Sequence, residues 1–174
     1  ISTAADATCG VGNYDITLSG GSSSNYSINL IDGALTVTHA ALTATADDQS
    51  RTYGAENPEL TITFNGFVNG DEPSDITLPT ISTTADASSG VGTYVIGLNG
   101  GESNNYSLTL EDGTLVINKA ALTVTADDAT INKGDDIPEF TFQYEGFVNE
   151  EDESVLTAMA IASTSATSTS DRGT

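Results

Sequence analysis

The stretch INKAALTVTADD, Ile117–Asp128, occurs earlier in nearly the same words as VTHAALTATADD, Val37–Asp48. In both, apolar residues recur every second position, the period of a β-strand, but the alternation changes phase partway. Leu115 and Ile117 occupy odd positions, whereas Leu122, Val124 and Ala126 occupy even ones, with the small pair Ala120 and Ala121 between them. Ala40 and Ala41 separate Leu35 and Val37 from Leu42, Ala44 and Ala46 in the same way. A change of phase turns the apolar side chains to the opposite face, so the chain leaves one core and enters another. The paired alanines are therefore the expected boundaries. They predict the C-terminal part of a repeat unit at 1–39, a complete unit at 40–119 and the N-terminal part of a further unit at 120–174.

The repeat extends well beyond these words. ISTAADATCGVGNYDI from Ile1 matches ISTTADASSGVGTYVI from Ile81, an offset of 80 residues. The match runs on without a gap, and 38 of the 72 pairs from Ile1 to Glu72 are identical. A weaker echo begins at Ile161, in IASTSATSTSDRGT. Duplication without insertion implies that every repeat folds to one unit, since a slipped register would turn its apolar face to water.

Within the unit, ALTVTA and LTITFNGFV alternate, VGTYVIGL follows a glycine turn, and NYSLTL is expected to pair with TLVIN as a hairpin across Glu111, Asp112 and Gly113. Tyr26 and Tyr106, which open that alternating strand in two repeats, are expected to send their rings into the core. No helical period competes. Six or seven short strands rich in Thr, Val, Ile and Tyr predict an all-β fold: tandem small Ig-like β-sandwich repeats of about 80 residues. No proline or Gly/Ser run separates the units, so they are expected to hold a nearly fixed angle and form a rod.

Composition narrows the partners. Four Lys and Arg against 25 Asp and Glu give a formal charge of -21, which repels phosphate backbones and anionic lipid surfaces. Neither nucleic-acid binding nor membrane insertion is expected. The single cysteine, Cys9, cannot form an internal disulfide. The sequence opens at Ile1 without a methionine, as expected of a processed product or a window of a longer protein. The part units at its two ends are complementary, so the expected partners are adjacent repeat units or further molecules of the same chain, joined by strand addition.

The words ALTVTADD, TYGAENP, FNGFVNGDEPSD, GVGTYVIGLNGG and SNNYSLTLEDGTLVINKA resemble the MBG domains, a mostly bacterial repeat with a Tyr-Gly signature. The resemblance implies an extracellular or cell-surface β-sandwich stalk, often in adhesin-like proteins, and no enzyme activity. The expected role is thus a non-catalytic structural segment of a secreted bacterial adhesin stalk or filament, assembling head to tail by strand complementation. A glycan or other surface ligand would be met through parts outside this chain. The competing reading is a calcium-dependent glycan-binding surface module. The sequence departs from the signature once: Tyr53 and Gly54 become Lys133 and Gly134 in the next repeat, which limits the tyrosine to packing or loop closure.

Few residues suggest chemistry. His39, the only histidine, aligns with Lys119 and reads as decoration of a junction rather than a general base. Cys9 aligns with Ser89, so the unit needs no thiol there, and neither Lys119 nor Lys133 aligns with a lysine that would support a side-chain amide crosslink. Calcium is the candidate ligand, because Asp47, Asp48, Asp127 and Asp128 follow the first strand of each unit and carboxylate oxygens suit a hard cation. Further carboxylates stand at Asp71–Glu72 and Glu150–Glu153, but no Asp-x-Asp-x-Asp-Gly loop is present. The same paired aspartates also serve to close Asx-turns. Asn25-Tyr26-Ser27 and Asn105-Tyr106-Ser107 fit the Asn-glycosylation pattern, and Ser163–Ser170 is expected to belong to the third unit rather than to carry O-linked sugar.

Overall fold

A computed structural model describes residues 1–167 and Ser170. The rest of the echo that begins at Ile161 lies outside the described residues. The chain is all-β, with 3-10 turns at Pro73–Asp75 and Glu153–Val155. The first repeat contributes β1 (Ser2–Thr3), β2 (Gly12–Thr17) and β3 (Gly33–Val37), an antiparallel sheet in chain order. Its register sets Tyr14 opposite Leu35 and Ile16 opposite Gly33.

The central repeat has seven strands: β4 (Ala40–Ala46), β5 (Gln49–Thr52), β6 (Ile62–Asn65), β7 (Thr80–Thr83), β8 (Gly92–Asn99), β9 (Tyr106–Glu111) and β10 (Gly113–Asn118). They form a four-stranded sheet, ordered β5-β10-β8-β7, and a three-stranded sheet, ordered β6-β4-β9. Two sheets with alternating buried faces make a β-sandwich. Leu42, Ala44 and Ala46 of β4 are buried, as are Ile96 of β8, Tyr106 of β9, and Leu115 and Ile117 of β10. Each phase change in the sequence coincides with a change of sheet. The chain passes from β3 to β4 within two residues, and Ala40 and Ala41 are already part of β4 rather than a linker.

One expected pairing is corrected. NYSLTL and TLVIN are not a hairpin, because β9 joins the three-stranded sheet and β10 the four-stranded one. The chain arches between the sheets at Asp112, whose Oδ1 accepts from the Leu98 amide at 3.0 Å and so ties the arch to β8. The physical reason lies in the apolar residues on either side. Tyr106 and Leu115 must both reach one interior, which strands in opposing sheets achieve. Released from β10, β9 instead pairs in parallel with β4, placing Ala40 opposite Tyr106, Leu42 opposite Leu108 and Ala44 opposite Leu110.

The flanking repeats show what this parallel pair contributes. The last repeat holds β11 (Thr123–Ala126) and β12 (Phe142–Glu145), antiparallel counterparts of β4 and β6. The first repeat contains the counterpart of β9, residues 26–31, but these form no strand. Tyr106 is 5% exposed, whereas Tyr26 is 79% exposed, so the expectation that both rings enter the core holds only for Tyr106. The cause is the missing partner. Residues 1–39 contain no counterpart of β4, so neither a ladder nor an opposing sheet covers Tyr26, Ile28 or Leu30.

Packing groups the described residues into two compact units. One comprises Ile1–Ser50, Pro58–Ala85 and Thr93–Val116; the other comprises Arg51–Asn57, Asp86–Gly92 and the chain from Ile117 onward. Each unit contains one junction between successive repeats.

Candidate functional site

Three of the four aspartates expected to hold calcium, Asp47, Asp48 and Asp127, are engaged within their own repeats. Asp47 accepts hydrogen bonds from the hydroxyls of Thr61 and Thr63. These bonds hold its carboxyl below the usual aspartate range, the Thr61 bond contributing most. Asp48 accepts from the Thr114 amide at 2.7 Å and from its hydroxyl at 2.8 Å, tying the end of β4 to the start of β10. Asp127 repeats the Asp47 pattern with Thr141 at 2.7 Å and Gln143 at 2.9 Å. Asp128 is exposed. Among the described residues, no three His, Cys, Asp or Glu side chains stand close enough to share a metal ion.

The junctions are more informative. In the first compact unit, the Asn105 side chain accepts from the Val11 amide at 3.1 Å, and its carbonyl accepts from the Ala40 amide at 3.0 Å. The neighbouring residue, Tyr106, lies under Val68–Asp71. Its hydroxyl donates to Asp71 Oδ2 at 2.7 Å and accepts from the Val68 amide at 3.0 Å, while its ring meets Phe67 edge-on at 5.4 Å. Burial and then the Asp71 carboxylate push the phenol above its ordinary value, because both disfavour a phenolate.

In the second compact unit the equivalent carboxylate is held instead by a tyrosine of the preceding repeat. Glu151, the counterpart of Asp71, accepts from the Tyr53 hydroxyl at 2.6 Å, and the Tyr53 amide donates to the Asn118 carbonyl at 2.8 Å. Gly54 follows in a left-handed conformation, φ 83°, and a Cβ there would approach the Val148 side chain to 2.6 Å. A side chain larger than hydrogen is excluded. The Tyr-Gly pair therefore closes a loop onto the next repeat, the packing role expected for it. Beside it lies a largely apolar cavity of about 210 Å³, lined by Ala120, Leu122, Gly146, Phe147, Val148 and Glu151 among others. Of their counterparts in the central repeat, Ala40 pairs with Tyr106 and Phe67, Val68 and Asp71 contact its side chain.

Sequence reasoning missed Arg51, which is 7% exposed. Its guanidinium donates to Asn57 Oδ1 at 2.8 Å, to the Thr52 carbonyl at 3.3 Å and to the Asp86 carbonyl. The cation is held by neutral acceptors and binds loop 52–57 to loop 86–92. Its signal in the sequence was that it is one of only four basic residues, placed at an inward position of a strand.

The remaining candidates carry no constellation. His39 and Lys119 are exposed at equivalent points of the two junctions. Lys133 is exposed in the last repeat. Cys9 is a half-buried free thiol whose sulfur accepts from the Asp6 amide at 3.1 Å, as the Ser89 hydroxyl accepts from Asp86 at 2.9 Å. It substitutes for a serine in a turn. Asn105 uses its side-chain oxygen on Val11, whereas Asn25 lies in the exposed segment of the first repeat.

Among the described residues, no helix is long and apolar enough to cross a membrane. No curated protein and no solved structure matches the chain. The family model of the MBG domain (YGX type) matches at residues 1–36, 42–116 and 122–174. With nearly every residue inside a matched segment, and Tyr53-Gly54 clasping the following repeat, the chain belongs to the MBG domain (YGX type) family.

Proposed function

We propose that this chain is a structural segment of an extracellular bacterial adhesin stalk or filament. Its modules, 1–39, 40–119 and 120–174, would follow one another as a rod and join neighbouring modules head to tail by strand complementation. The MBG domain is a structural repeat of surface proteins. The observation that carries the proposal is the junction. Side chains of one repeat bond to the next, Asn105 to Val11 and Tyr53 to Glu151, where a flexible linker would otherwise stand. Modules so joined transmit load and hold an angle, and their stability includes a nearest-neighbour contribution.

Small-angle scattering tests the rod. A compact globule of this length has a radius of gyration of about 16 Å, whereas modules of roughly 30 Å laid end to end give more than about 20 Å. A monomer near the smaller value would end the stalk proposal.

A further inference from the structure

The first and last strands that the central repeat gives to its three-stranded sheet are neighbours that run the same way. β4 pairs with β9 in parallel, from Ala40 opposite Tyr106 to Thr45 opposite Glu111. The chain enters β4 at Ala40 and leaves β9 at Glu111, and in a parallel pair those two points lie at opposite ends of the ladder. Tension along the chain therefore draws β4 toward its N-terminal end and β9 toward its C-terminal end. The strands are made to slide past each other rather than to peel apart. Parallel ladder bonds are evenly spaced, so sliding loads them together, whereas peeling meets them one at a time.

We infer that β4 and β9 form a shear clamp through which the central repeat bears tension along the chain. The clamp rests on the stalk reading for its use, and it names the element that carries the load there.

Three features reinforce the ladder. The first is that both of its ends are tied. The Ala40 amide donates to the Asn105 carbonyl at 3.0 Å, and the Thr45 hydroxyl donates to Glu111 Oε2 at 2.9 Å. Just past β4, Asp48 accepts from the Thr114 amide at 2.7 Å and from its hydroxyl at 2.8 Å. Ties at both ends oppose fraying, so the load is shared before any rung opens. The second feature is a dry inner face. Leu42, Ala44 and Ala46 are at most 2% exposed, and a slip of β4 by one residue would turn all three to water. The third is an anchor on the other strand. The Tyr106 hydroxyl donates to Asp71 Oδ2 at 2.7 Å and its ring meets Phe67, so β9 slides only after that ring has left its seat. Beyond Asp112 the chain continues as β10, which lies between β5 and β8 and is held along both edges.

Forced unfolding is governed by the barrier along the pulling direction rather than by equilibrium stability, so one fold can resist two directions differently. Single-molecule force spectroscopy on the full chain tests the clamp in this way. Cys9→Ser, which supplies the hydroxyl that Ser89 has at the equivalent turn, removes the native thiol. In that background His39→Cys with Lys119→Cys places handles before β4 and after β10, which loads the pair in shear. His39→Cys with Asn104→Cys places them before β4 and before β9, at the same end of the ladder, which peels it. All three positions are exposed, and thermal unfolding like that of the unaltered chain will show that both forms are folded. At equal loading rate, the shear form is expected to rupture at a force at least about threefold that of the peeled form, since the rungs share the load in one direction and meet it singly in the other. Its rupture should release roughly 240 Å, the extended length of residues 40–118 less a folded length of about 30 Å. Equal forces in the two directions, or a weaker shear form, would overturn the clamp. Its failure is separable from that of the stalk: equal forces with a radius of gyration above about 20 Å would remove the clamp alone, and a directional ratio in a compact monomer would end the stalk alone.

Discussion

At the scale of single residues, two side chains concentrate the structural work. Arg51 is a buried cation whose donors go to carbonyl and amide oxygens rather than to a carboxylate, so truncation leaves three acceptors without their partner. Arg51→Ala is expected to cost about 2–3 kcal/mol, read as a lower urea midpoint at unchanged slope. A change below about 0.5 kcal/mol would mean that water replaces the guanidinium at little cost. Tyr106 gives a pH prediction. Its folded phenol titrates above the ordinary value, because burial and Asp71 disfavour the phenolate. Its contribution is therefore complete below the unfolded tyrosine value of about 10 and is lost as pH rises through the higher folded value. Thermal melts across that interval should show a falling midpoint, and Tyr106→Phe should fall less steeply. Equal slopes would remove Tyr106 as the cause. Tyr106's burial was legible from alternation, since a tyrosine in phase with Leu108 and Leu110 faces inward. Arg51 was not legible, because its acceptors at Asn57 and Asp86 are remote in sequence and the repeat places Ile131 at its counterpart.

At the scale of elements, strand existence could be read directly but strand partnership could not. The alternation in Ala40–Ala46 and Gly92–Asn99 is local, and both strands appear where it predicts them. The Glu111-Asp112-Gly113 turn reads equally well as a hairpin or as an arch, because an acidic residue before glycine serves any tight reversal. The parallel β4–β9 ladder, which closes over about 65 intervening residues, decides between them. Local sequence carries no mark of so distant a pairing. The arch itself is testable at Gly113, where a Cβ would lie 2.3 Å from the Ala46 carbonyl oxygen. Gly113→Ala must push β4 and β10 apart and is expected to cost about 2–3 kcal/mol. Gly90→Ala, whose Cβ meets no atom within 4 Å, is the control and should stay within about 0.5 kcal/mol. Equal effects on the melting midpoint would show that the backbones can separate freely there, and the arch would lose its support.

At the scale of the whole molecule, a charge of -21 is spread over 174 residues, with only four basic residues to offset it. Self-repulsion opposes folding, and salt screens it over a Debye length of about 8 Å at physiological strength. Raising sodium chloride from about 10 mM to about 300 mM is therefore expected to raise the melting temperature, as the Debye length shrinks from roughly 30 Å to under 10 Å. The calcium question turns on whether a divalent ion does more than this. Asp47 and Asp127 each receive two side-chain donors, and Asp48 receives two donors from Thr114, so a bound ion would have to displace bonds that already hold strands together. Calcium chloride and magnesium chloride at matched ionic strength are expected to shift the midpoint equally, which is screening without a site. A specific site would stabilise by its own binding free energy and grow with occupancy. An additional rise with calcium alone, abolished by a chelator and absent in Asp47→Asn, would establish that site and return the cation to the account of how this acidic array is held together.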